Sequence, residues 1–228
     1  MAAWRNRTGF RAFQYECVRP CPSSAPLGPT PPLVRRVDRQ TTTAPRGRPL
    51  STLTDSPARY GLISRILHWG MAALFLAQFL SAAAHWALPR ENGLRELLWS
   101  YHVNLGLTLF ALVLLRGIWG LVNMHKRPAE PGVMGQAAQW GHALLYALMI
   151  VVPGVRILAA LGSTRGLSYF GMELIPARAT EIAWLQAPAE WHGEMGWILA
   201  LVVLGHIAMA VGYHRVIRND GTLERMAG

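Results

Sequence analysis

Eight histidines punctuate the chain: His68, His85, His102, His125, His142, His192, His206 and His214. Five of them, His68, His102, His142, His192 and His206, fall inside long apolar stretches. An imidazole held in hydrocarbon is costly and usually marks a site, and in its neutral form it is a ready metal ligand. His192 and His206 are fourteen residues apart. On an α-helix that interval is about 1400° of rotation, within about 40° of the same face, and about 21 Å of rise. One helix can therefore offer two imidazoles to one side of a bundle, one near each end, an arrangement suited to two stacked cofactors.

Four apolar segments can carry these residues. They lie near 62–84 (LISRILHWGMAALFLAQFLSAAA), 100–122 (SYHVNLGLTLFALVLLRGIWGLV), 139–161 (QWGHALLYALMIVVPGVRILAAL) and 191–213 (WHGEMGWILALVVLGHIAMAVGY). Each meets the roughly 20-residue length of a membrane-spanning helix. The composition agrees: 52% of the residues are hydrophobic and 15% charged, against about 25% charged in soluble domains. The predicted class is all-α, an integral membrane four-helix bundle over residues 56–228.

Residues 1–55 read differently. Rich in Arg, Pro, Thr and Ser, they show no helical or strand period and are expected to form a disordered basic extension. No apolar stretch follows the basic start, so no secretory signal is recognised there. Trp4, Phe10, Phe13 and Tyr15 lie among arginines, but no folded nucleic-acid motif accompanies them. The expected neighbour is the lipid bilayer, not nucleic acid. Cys17 and Cys21, the two cysteines of the chain, cannot staple a disulfide framework.

Loop charges set the expected orientation. Arg59, Arg65, Lys126, Arg127, Arg215, Arg218 and Arg225 fall at one side of the four segments. Arg90, Arg95, Arg165 and Arg178 fall at the other, interspersed with Glu91, Glu96, Glu173, Glu181 and Glu190. Because only Lys and Arg count, both termini are expected in the cytoplasm.

Depth along the segments then nominates partners. His68 and His206 share the inner level, and His102 and His192 the outer one. Two neutral imidazoles on opposite faces of a planar iron macrocycle are the ligation of a b-type haem. His142 also lies at the inner level, and depth alone does not separate it from His68. Singly, each histidine also fits an interhelical hydrogen bond, and a haem-free proton-relay transporter would use the same residues. A zinc site would need closer spacing. His85, His125 and His214 sit at or beyond the segment ends. Gly70, Gly106, Gly141, Gly193, Gly196 and Gly205 flank the buried histidines and serve either close helix contact or room for a flat ring. Arg116 needs an anion at its depth, such as a haem propionate, or snorkels to the interface. Arg156, just after Pro153-Gly154, has no role legible in the sequence.

The words RILHWGMAAL, WSYHVNLGLTL, WGHALLYALMIVVPG, EWHGEMGWILALVVLGHIAMA and IRNDGTLERMAG, in this order over about residues 57–228, resemble the bacterial cytochrome b561 family. The resemblance implies a four-helix cytochrome of the bacterial inner membrane binding two b-type haems. His68 and His206 would hold one, and His102 and His192 the other, with Arg116 beside them. It leaves His142 to a supporting or quinone-side role and implies no identified catalytic residue. One branch of the family resembles a superoxide oxidase, implying superoxide at the periplasmic side as donor and ubiquinone as acceptor. His142, Arg65 and His214 are the candidate quinone residues. A haem-bearing anchor serving a separate periplasmic redox protein is the alternative. The chain departs from the family pattern at Tyr213-His214, where two histidines are frequent, and at Arg156, where a small or apolar residue is usual.

Overall fold

The computed structural model describes residues 53–128 and 132–227. The basic extension assigned to residues 1–55 therefore lies, apart from its last three residues, outside the described residues. Its helices are α1 (Leu62–Ala87), α2 (Gly93–Ser100), α3 (His102–Val122), α4 (Gly132–Leu161), α5 (Ala183–Gln186), α6 (His192–Ile207) and α7 (Thr222–Ala227). Four helical stretches are long and apolar enough to cross a membrane: Leu62–Ala87, Gly93–Val122, Gly132–Leu161 and Ala183–Arg218. The all-α membrane bundle expected from the sequence is the architecture found. Five of the eight ends lie further out than the sequence placed them. Helix α4 starts at Gly132 instead of near 139, and α6 passes directly into a π-helical segment, Ala208–Arg218, a form usually limited to single turns.

These helices are apolar on all sides, as expected where one face meets protein and the other lipid. Ile66, Leu76, Leu80, Leu115, Ile118 and Leu121 point outward, and intrahelical bonds satisfy the backbone that hydrocarbon cannot solvate. Helix α2 is started by Asn92, whose side-chain oxygen accepts from the amides of Leu94 and Arg95. Pro153 lies inside α4, where it supplies no N–H to the preceding turn and favours a kink.

Helix α1 packs on α3, α3 on α4, and α4 on α6. Met71, Leu109 and Val113 form one buried cluster, and Leu145, Val152 and Leu199 another; Phe75 and Met149 pack against both. Leu199, only 3% exposed, stands seven residues from His192 and seven from His206. Apolar side chains thus stand between the two histidine levels.

The connection after α4 holds a two-stranded antiparallel hairpin, β1 (Leu167–Tyr169) and β2 (Met172–Ile175). Its turn places Phe170 at φ 45° and Gly171 at φ 85°. Asn104 on α3 accepts from the Phe170 amide at 2.9 Å, and Thr108 and Tyr169 share a hydroxyl bond at 3.0 Å. The hairpin is thereby fastened to the helix that begins with His102.

The opposite end is tied by polar groups. Asp55, 4% exposed, accepts from the Gly61 amide at 2.9 Å and from Arg127 Nε at 2.9 Å. Burial pushes its carboxyl up, but bonds from Ser64, Gly61 and Arg127 outweigh that and hold it below its ordinary value. A side chain at Gly61 would collide with the backbone of Thr54, 2.4 Å from where its Cβ would stand. Helix α7 folds back onto α1, where Arg65 Nη2 donates to the Ala227 carbonyl and Trp69 Nε1 to that of Met226.

Candidate functional site

Four histidines come together as two pairs at opposite ends of the bundle. His68 of α1 faces His206 of α6 with ring centroids 6.3 Å apart, and His102 of α3 faces His192 of α6 at 6.2 Å. A metal-bound imidazole nitrogen sits about 2 Å from its ion, and its ring centroid about 1.1 Å further back, so two axial rings on one iron stand about 6.2 Å apart. Both pairs have that spacing.

The hydrogen bonds fix which nitrogen of each ring is free. Ser81 Oγ lies 2.8 Å from His102 Nδ1 and donates its own proton to the Gln78 carbonyl at 2.7 Å. Its oxygen is therefore an acceptor, and Nδ1 of His102 carries the proton. Gln78 Nε2, a donor only, lies 3.2 Å from His102 Nε2 and 3.4 Å from Nδ1; with Nδ1 protonated it donates to the Nε2 lone pair, a bond to be released if a metal is to take that nitrogen. His192 Nδ1 bonds the Val152 carbonyl at 2.8 Å, the carbonyl just before Pro153. Both rings thus carry the proton on Nδ1 and the lone pair on Nε2, the usual effect of an oxygen acceptor behind a metal-binding imidazole.

The other pair is set differently. Arg116 Nη1 lies 2.8 Å from His68 Nδ1. A guanidinium only donates, so Nδ1 of His68 accepts and its proton sits on Nε2. For His68 to ligate through Nε2, Arg116 must give up this bond. His142 is also near, 5.3 Å from His206 between ring centroids, with its Nδ1 bonded to the Ala138 carbonyl one turn back.

Space for a ligand is plain at the His102–His192 end. A cavity of about 1250 Å³ opens there, and Gly106, Gly193 and Gly196 line it. A Cβ at Gly193 or Gly196 would meet nothing within 4 Å, and the same holds at Gly70, Gly141 and Gly205. At these five glycines close helix contact is not the use seen, whereas a Cβ at Gly106 would stand 3.3 Å from Gln78 Nε2. Arg90, Arg95, Arg156 and Arg165 also line the cavity, and no acidic residue does among the described residues.

Other candidates from the sequence are not brought together. Arg65 holds the Ala227 carbonyl, His142 stands beside His206, and His214 Nδ1 pairs with Asp220 at 2.8 Å. No hydrogen bond, ion pair or ring contact joins any two of the three. Sequence reasoning missed Ser81 and Gln78. Their signal was present: two polar residues three apart on one face of an apolar helix. It also missed the stack of His85 on Trp99 at 3.7 Å and of Trp99 on His102 at 4.5 Å.

Fold and site together define a class of protein, a four-helix membrane bundle with facing histidine pairs near both ends. Comparison with known proteins narrows it: the chain belongs to the prokaryotic cytochrome b561 family, whose model matches residues 59–228. It is similar to cytochrome b561 homolog 2 of Escherichia coli (strain K12), 25% identical over 183 residues that cover 78% of this chain and 95% of that protein. The chain is accordingly a membrane electron-transfer protein of the b-haem type. The residues present fit such a group: imidazole pairs at the right spacing, Nε2 lone pairs on His102 and His192, and a glycine-lined cavity.

Proposed function

We propose that the chain carries two b-type haems, one between His68 and His206 and one between His102 and His192, and passes electrons through the bilayer between them. Haem supplies one-electron iron chemistry when bound. The chain's own residues hold it, orient it and keep water away. Ser81 and the Val152 carbonyl keep Nδ1–H of His102 and His192 turned away from the metal side. Arg116 is the natural partner of a haem carboxylate, reached when it releases His68. Leu199, Phe75 and Met149 give the cavity an apolar inner wall between the levels, and about 21 Å of helix rise separates His192 from His206. The observation that carries this reading is the pair of ring separations, 6.3 and 6.2 Å, at the two levels.

The acceptor in this reading is ubiquinone at the cytoplasmic, His206 end, in the inner membrane with both termini cytoplasmic. His142, Arg65 and His214 are the groups at that end able to donate hydrogen bonds or protons. The donor is superoxide at the periplasmic end. Its support is the cavity wall, where Arg90, Arg95 and Arg165 stand without acids and draw an anion inward. Glu91, Glu96, Glu173, Glu181 and Glu190, though close in sequence, do not line it. Two superoxide ions each release one electron to become dioxygen, and one quinone takes both electrons with two protons.

Haem content of purified protein and its reduced-minus-oxidised spectrum test the first part, with two haems per chain expected. A colourless preparation refutes it. Stopped-flow decay of superoxide with ubiquinone present tests the second; decay no faster than spontaneous dismutation would leave a haem-bearing anchor for a separate redox protein.

A further inference from the structure

We infer that Arg156 is the residue that pairs with a carboxylate of the haem at the His102–His192 end and holds that haem's potential up. The inference rests on the two-haem reading above. Arg156 lies on α4, five residues from its end at Leu161 and so about 7.5 Å into the span. It lines the same cavity as His102 and His192 and lies within electrostatic reach of both rings. Among the described residues it has no hydrogen-bonded or ion-paired partner.

The neighbouring cations are differently placed. Arg95 is engaged with the His85 carbonyl at 3.1 Å, and Arg90 and Arg165 sit in the connecting segments, outside the helices of the bundle. Of the two that stand on spanning stretches, Arg95 is two residues from the start of Gly93–Val122, whereas Arg156 lies more than a turn inside its helix. A guanidinium at that depth needs an anion, and the cavity wall offers none from the protein. Haem brings two carboxylates, and a forked guanidinium is the side chain best matched to one of them. A fixed positive charge beside the ring also favours the reduced state, which carries one positive charge fewer, so it raises the potential. Pro153, three residues before Arg156 on the same helix, lines the same wall.

The test uses the full chain with its haems, as Arg156→Leu and Arg156→Lys, read by haem content and by redox titration of the visible bands. In Arg156→Leu the expected result is a lower midpoint for one haem and no change in the other, with Arg156→Lys recovering most of the shift. Loss of one haem from a folded Arg156→Leu protein, restored by Arg156→Lys, supports the same conclusion. Both midpoints unchanged at full haem content overturn it, as does a shift or loss that lysine does not recover. A His102→Ala variant with the haem content of wild type would instead overturn the two-haem reading, so the two failures are distinguishable.

Discussion

The buried hydroxyl of Ser81 and the Nδ1 of His102 lie 2.8 Å apart, with the serine proton already committed to the Gln78 carbonyl. Ser81 is fully buried, so this acceptor cannot be replaced by bulk water. It selects the Nδ1–H tautomer and leaves the lone pair on Nε2, where the Gln78 amide stands at 3.2 Å. Such outer partners commonly change metal affinity by about 10–100-fold. Ser81→Ala is expected to weaken haem retention at the His102–His192 level by that order and to leave the other haem in place. Haem loss to apomyoglobin, followed by absorbance, measures it; two equally stable haems in the variant would refute the role.

In the proposed two-haem reading each histidine pair is a separate site, with Leu199 midway between the levels. His192→Ala and His206→Ala should each cost one haem and retain the other. Pyridine haemochrome assays on folded variants give the count. Loss of both haems from either single variant would mean that the levels are not independent.

The glycines of α6 offer a contrasting test. Nothing stands within 4 Å of a Cβ built at Gly196, which lines the cavity. Gly196→Leu should therefore leave the bundle folded while filling the place of the ring. We expect at least a several-fold fall in haem at one level, with unchanged helical circular dichroism. Unaltered haem binding would show that the open space serves no ligand.

At the far end, Asp55 ties the chain before α1 to Arg127 after α3. Its folded-state pKa is lowered, so its contribution is present above the unfolded value of about 3.9 and fades as pH falls through the folded value. Asp55→Asn should cost about 1–3 kcal/mol at neutral pH. The difference from wild type should close in acid. Thermal unfolding in detergent at about pH 7 and about pH 3 decides it; a gap that widens in acid would contradict the assignment.

Sequence alone determined what depends on one helix at a time. Long apolar runs dictate spanning helices because backbone groups in hydrocarbon must bond within their own segment. The fourteen-residue interval puts His192 and His206 on one face because the helical repeat leaves no choice. Depth also placed His68 and His102 level with their partners, since residue count measures rise.

Tertiary structure decided everything that needs an azimuth. His68 and His142 share a depth, and only packing shows that the former stands 6.3 Å from His206 and the latter 5.3 Å. Arg116 was legible as a cation in need of a partner, but not as the residue on His68 Nδ1, because that contact joins helices 48 residues apart in sequence. Asp55 sits in a stretch without periodicity, so nothing announced its burial. Arg156 had a position and no role until α4, α3 and α6 enclosed a common cavity around it. A helix fixes the order and height of its side chains by its own geometry, whereas which neighbours they meet is set by how separate helices turn toward one another.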